Sequence, residues 1–109
     1  MSPNRTENFC CGGGSGFALM SGKNFIDWRL EVAGAKKMEQ VLAAFEGSMD
    51  PAIPKYICAP CSNCKGQFRE LLAHRGLWKS NRIFYGGLAE LVVNAMRDVK
   101  PGFLEWEWR

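Results

Sequence analysis

A chain of 109 residues, 47% hydrophobic and 23% charged, is one globular domain at most. Its formal charge of +3 is too small and too scattered to predict a nucleic-acid partner. No run approaches the roughly 18 apolar residues of a membrane span, and the first 26 residues lack the basic start and unbroken apolar run of a secretory leader. The expected compartment is therefore the cytoplasm, where thiols stay reduced. Five cysteines, an odd number, fit a metal or redox site better than a disulfide framework.

In chain order, Ser2 to Phe9 reads as the run-in to a site, not the start of a domain, so the chain is expected to be part of something longer. Residues 1–26 read as a cysteine- and glycine-rich loop dominated by Cys10-Cys11-Gly12-Gly13-Gly14. Residues 27–46 read as a helix with Asp27 as N-cap. Ala35, Met38, Leu42 and Phe45 carry its apolar spacing, and Glu31, Lys36, Lys37, Glu39 and Gln40 mostly take the other side. The Lys36-Lys37 pair reads as a solvated helix face. Gly47 is a natural stop, and residues 48–54, with Pro51 and Pro54, read as a loop.

Residues 55–59 read as a short buried strand ending at Pro60. A second helix is expected from about Ser62 to Arg75, burying Phe68, Leu71 and Leu72 and ending at Gly76. Arg82 to Tyr85 reads as a second strand, and Gly87 to Arg97 as a third helix. This alternation predicts an α/β domain: a small parallel sheet, about three flanking helices and the N-terminal Gly/Cys-rich loop. The aromatic tail, residues 98–109, alternates with period two, and Trp106 and Trp108 read as core or edge-strand packing in preference to a docking patch.

The cysteines carry the chemistry. Thiolates are soft ligands for zinc, cuprous copper or iron–sulfur clusters. Cys61-Ser-Asn-Cys64 falls where a strand hands over to a helix, and free amides there favour anionic thiolates. That puts two ligands at the carboxyl edge of the sheet, where open α/β folds keep their sites. A thioredoxin-like redox pair and plain core packing are the competing readings of these two residues. Cys10 and Cys11 are neighbours whose side chains diverge in an extended chain, which suits an irregular multi-iron cluster better than one tetrahedral ion. Gly12, Gly13 and Gly14 permit positive φ and close backbone approach to a bulky cofactor; an incidental linker is the alternative. His74, the only histidine, reads as a surface or helix-end residue before a zinc ligand. Gly22-Lys23 fails the phosphate-loop pattern, because Phe17 stands at the required glycine and Asn24 at the Ser/Thr.

The stretches Asn8-Phe-Cys10-Cys11-Gly-Gly-Gly14 and Ile57-Cys58-Ala-Pro-Cys61-Ser-Asn-Cys64-Lys-Gly-Gln-Phe68 resemble the cysteine-rich CCG domain of heterodisulfide reductase subunits. The same domain occurs in glycolate oxidase iron–sulfur subunits and in iron–sulfur proteins of sulfate-reducer membrane redox complexes. The last type is the nearest likeness, through the Ser2-Pro-Asn-Arg5 lead-in. The likeness runs over roughly residues 4–97 and includes the Leu88-Ala-Glu-Leu-Val92 run. It implies Cys10, Cys11, Cys61 and Cys64 as ligands of an iron–sulfur cluster of [4Fe-4S] type, non-cubane in some members of the family, with zinc as the alternative. It also implies electron transfer inside an oxidoreductase, with the other subunits of a redox complex as partners. The chain alone is not expected to be catalytic. Two features depart from the family pattern. The upstream cysteine is absent, and Cys58 is an extra thiol that could replace it as a ligand. These departures leave a structural zinc module that docks a partner subunit, or an inactive fragment, as the other expectations.

Overall fold

The computed structural model describes residues 1–14, 17 and 25–96. The aromatic tail and most of the segment between Gly14 and Phe25 lie outside the described residues. The architecture is mixed α/β, as the alternation predicts. A 3₁₀ turn, Arg5–Glu7, precedes α1 (Ile26–Trp28), a π-helical turn (Arg29–Ala33) and α2 (Ala35–Ala44). Strand β1 (Lys55–Cys58) leads to α3 (Ser62–His74) and the short α4 (Leu77–Asn81). Strand β2 (Ile83–Gly86) and α5 (Leu88–Ala95) follow. The two strands pair in parallel, Lys55 opposite Ile83 and Cys58 opposite Gly86. No described helix is long and apolar enough to cross a membrane.

The core forms where α2 and α3 meet the sheet. Met38, Val41, Leu71, Leu72 and Ile83 are all but inaccessible, and Ile57, Phe68 and Tyr85 pack with them. Phe68, Leu71 and Leu72 are buried as their spacing on α3 predicts. That helix ends where Gly76 takes a φ of +66°, a conformation a side chain would resist. Gly47, at φ +82°, similarly stops the chain after α2.

Three sequence expectations need correction. The single helix over 27–46 is broken by the π turn, and Asp27 lies inside α1, with Phe25 at the N-cap position. The break follows from packing. A Cβ on Gly34 would stand 2.8 Å from Leu71 Cδ2, so the helix passes α3 at a distance only glycine permits, and the backbone widens just before it. Next, Lys37 is buried, at 5% exposure, and is not on a solvated face. Finally, α4 is an additional helix, one of five among the described residues where about three were expected.

Buried charge finds partners in two places. Arg29 donates to Gln67 Oε1 at 2.5 Å and is ion-paired with Glu70. Gln67 Nε2 donates back to Arg29 O at 3.0 Å, pinning the π turn to α3. Lys55 Nζ donates to the carbonyls of Ser48, Asp50 and Ile53 at 2.7, 2.9 and 2.5 Å. One ammonium thus organises the loop before β1, which is why a lysine can open a buried strand.

Candidate functional site

The site is assembled at the carboxyl end of β1. Sheet pairing runs one residue past Cys58, where Ala59 N–H donates to Gly86 O at 2.7 Å. Pro60 then turns the chain out, and Cys61 becomes the N-cap residue of α3 with extended backbone. A strand-to-helix junction at Cys61 is what the sequence predicts. Cys64, one turn on, lies on the same side of the helix and is half-buried.

The glycine-rich loop brings the other thiols to this junction. Cys11 is 6% exposed and belongs to the hydrophobic core. Its Sγ donates to Cys64 Sγ at 3.1 Å, across 53 positions of sequence. Gly12 N–H donates to Cys10 Sγ at 3.3 Å, and Gly13 N–H to Cys11 Sγ at 3.4 Å. The loop therefore turns its amides onto its own sulfurs. It needs Gly12 for that: φ is +84°, and a Cβ there would stand 2.9 Å from the carbonyl carbon of Ala33. The π turn forms the bed on which the loop lies.

The environments of the thiols differ. Cys61 is exposed. It closes no side-chain cap hydrogen bond, but the amides of Cys64 and then Asn63 lie close enough to hold its thiol below the ordinary value. Burial pushes the Cys64 thiol up to about 12, helped by its hydrogen bond with Cys11 and by the charges of Cys11 and Cys61. Without a cation, then, an ionised Cys64 is disfavoured. Cys10 is exposed beside an open, apolar groove of about 580 Å³, formed with Gly12, Gly14, Phe17, Trp28 and Ala33. Cys58 is exposed at the end of β1. His74 is also exposed, with Nε2 3.5 Å from Glu31 Oε1, which is a surface role.

Among the described residues, no three His, Cys, Asp or Glu side chains are gathered tightly enough to enclose a metal ion. Cys11 and Cys64 stand as a contact pair, with Cys61 near enough to add to the upward shift of the Cys64 thiol. Two sulfurs on one tetrahedral zinc are about 3.8 Å apart, given Zn–S bonds of ~2.3 Å. A metal would thus have to spread the contact pair by roughly 0.7 Å. The donor chemistry fits a soft metal or cluster, and the amide-to-sulfur hydrogen bonds suit thiolate ligands.

Sequence reasoning does not anticipate Lys37, Asn8 and Gln40. Lys37 Nζ donates to Asn8 Oδ1 at 2.7 Å and to Gln40 Oε1 at 2.6 Å, and Gln40 Nε2 donates to the Pro3 carbonyl. Burial holds the Lys37 pKa down, opposed by the charges of Cys11, Cys10 and Cys64. The one sequence signal is spacing: Lys37 and Gln40 share a helix face with Val41, so they border the apolar stripe. Comparison with family models, curated proteins and solved structures finds no match for this chain.

Proposed function

We propose that this chain is an iron–sulfur electron-transfer domain of a heterodisulfide reductase-like oxidoreductase. Cys10, Cys11, Cys61 and Cys64 would hold a cluster of [4Fe-4S] type, cubane or non-cubane. The observation that carries this reading is the meeting of Cys11 and Cys64, 53 positions apart, with Cys61 alongside. The amides of Gly12 and Gly13 on the Cys10 and Cys11 sulfurs add to it, because such hydrogen bonds tune cluster potentials. When bound, the cluster supplies one-electron transfer; the chain supplies the thiolates, the amide donors and a partly dry setting. Partner subunits of a redox complex would deliver or accept the electron.

The test is anaerobic reconstitution with ferrous iron and sulfide. Brown protein with broad charge-transfer absorption, and iron and sulfide in comparable amounts, is the expected result. Colourless protein that takes up zinc but no iron would replace this reading with the structural zinc module. A second reading is favoured by the 3.1 Å sulfur contact itself, which is shorter than a shared zinc allows. On that reading Cys11 and Cys64 form a dithiol couple. A low-molecular-weight disulfide would take two electrons from the pair, leaving a Cys11–Cys64 bond and two released thiols. A Cys11–Cys64 disulfide located by peptide mass mapping, in protein that takes up no iron on reconstitution, would favour this second reading.

A further inference from the structure

We propose that Lys37 is the positioning residue and counter-charge of the thiol site. It ties the segment leading into Cys10 and Cys11 to α2, and it places a buried positive charge where sulfur anions form. This rests on the reading of the cysteines as a thiolate site, and it deepens that reading by naming what stabilises the anion.

The geometry makes both roles concrete. Lys37 is 5% exposed, so its ammonium has given up most of its water. Two amide oxygens replace that water, Asn8 Oδ1 and Gln40 Oε1. Asn8 is two residues before Cys10, so the first contact fixes where the Cys10-Cys11 turn begins. Gln40 reaches the Pro3 carbonyl, so the clamp extends over the whole N-terminal segment. Both acceptors are neutral. Through Asn8 the charge they leave uncompensated sits beside the cysteine loop, and the charges of Cys11, Cys10 and Cys64 oppose the lowering of the Lys37 pKa by burial. A buried cation with only neutral partners is costly unless an anion is near. The thiolates, or the anionic cluster they would hold, are that anion.

The test uses Cys58 as an internal reference, since it is exposed on the same chain. Reduced, metal-free protein is treated briefly with the dianionic disulfide dithiobis(nitrobenzoate), or with neutral dithiodipyridine. Each cysteine that reacts forms a mixed disulfide and releases one aryl thiolate. Peptide mass spectrometry then gives labelling at Cys10 relative to Cys58. In the wild type this ratio should be several-fold higher with the anionic reagent than with the neutral one, because an uncompensated cation beside the loop attracts the dianion. Lys37→Gln is neutral but can still donate to Asn8 and Gln40, and it should bring the two ratios together. Asn8→Ala removes the tether and keeps the charge, and it should retain the anionic preference. A wild type with no anionic preference overturns the proposal, whether or not any variant folds. So does a folded Lys37→Gln protein that keeps the preference. In reconstituted protein, Lys37→Gln should shift the cluster midpoint potential to a more negative value, an effect loosened packing alone would not produce in that direction. If the wild type takes up no iron, the cluster reading fails, while the labelling ratios still decide the role of Lys37.

Discussion

Replacing Gly12 by alanine tests whether the loop is held in place by its fit to the π turn. Gly12 has a φ of +84°, and the added Cβ would stand 2.9 Å from both the carbonyl carbon and the Cβ of Ala33. The left-handed backbone costs an alanine about 1–2 kcal/mol. Overpacking against backbone that cannot swing aside adds ~1–3 kcal/mol. The expected destabilisation is therefore about 2–5 kcal/mol, a large share of the ~5–15 kcal/mol typical of a domain. The chain has one way to limit it, which is to lift the loop off Ala33. That move would pull Cys11 out of the core and away from Cys64. The variant should then show a lowered urea midpoint or faster alkylation of Cys11, measured on reduced, metal-free protein. Gly14→Ala is the control, because a Cβ at Gly14 meets nothing within 4 Å among the described residues; it should change neither quantity by more than ~0.5 kcal/mol equivalent. If Gly12→Ala matches Gly14→Ala in both, the loop does not rest on the π turn as described.

Three further outcomes follow from the same geometry. Because the Cys64 thiol is pushed up to about 12 in the folded protein, unfolding lets it ionise more easily; the metal-free protein should keep its full stability below about pH 9 and lose it progressively toward about pH 12. Urea titrations across that range check this, and Cys64→Ala should flatten the loss. Cys61→Ser and Cys64→Ser should each remove most iron from reconstituted protein, since a hydroxyl is a poor substitute for a soft thiolate. Cys58→Ser should remove much less; equal loss would make Cys58 a ligand. Leu71→Ala, at a fully buried position touching Gly34, should cost ~2–5 kcal/mol by chemical denaturation, and a cost under ~1 kcal/mol would mean α3 does not pack on Gly34 as seen.

The sequence is most legible where one local pattern acts alone. The spacing of Phe68, Leu71 and Leu72, closed by Gly76, is enough to define α3 and its buried face. The strand-to-helix junction at Cys61 is legible because Pro60 must end the strand. Legibility fails where a distant partner decides. Lys37 looks solvated because nothing in its own helix reveals an acceptor 29 positions earlier. The break in the first long helix is hidden because Gly34 is an ordinary weak helix residue until Leu71 closes on it. Leu77–Asn81 is too short to show a period. Of the site, the two cysteine knots are legible as separate motifs. The contact of Cys11 with Cys64 joins one cysteine of each motif, and neither motif alone reveals it.

The parts of the site share one support, which explains why its unusual features lie close together. The π turn, Arg29–Ala33, lies between the cysteine loop and α3. On one side Gly12 presses against Ala33; on the other Gly34 presses against Leu71 and Gln67. Arg29 ties the turn to Gln67 and Glu70, which follow Cys64 on the same helix. The same segment therefore sets the height of the Cys11 loop and the position of the helix that presents Cys64. A regular α-helix there would be narrower and would pair its backbone groups four apart, whereas here Gly34 N–H donates to Arg29 O, five residues back, at 3.0 Å. At this turn Ala33 lies against Gly12, and Gly34 lies tight on α3. Single π turns of this kind are frequent at functional sites. Here the turn supports both the loop that carries Cys11 and the helix that carries Cys64, whose sulfurs meet at 3.1 Å across 53 positions of sequence.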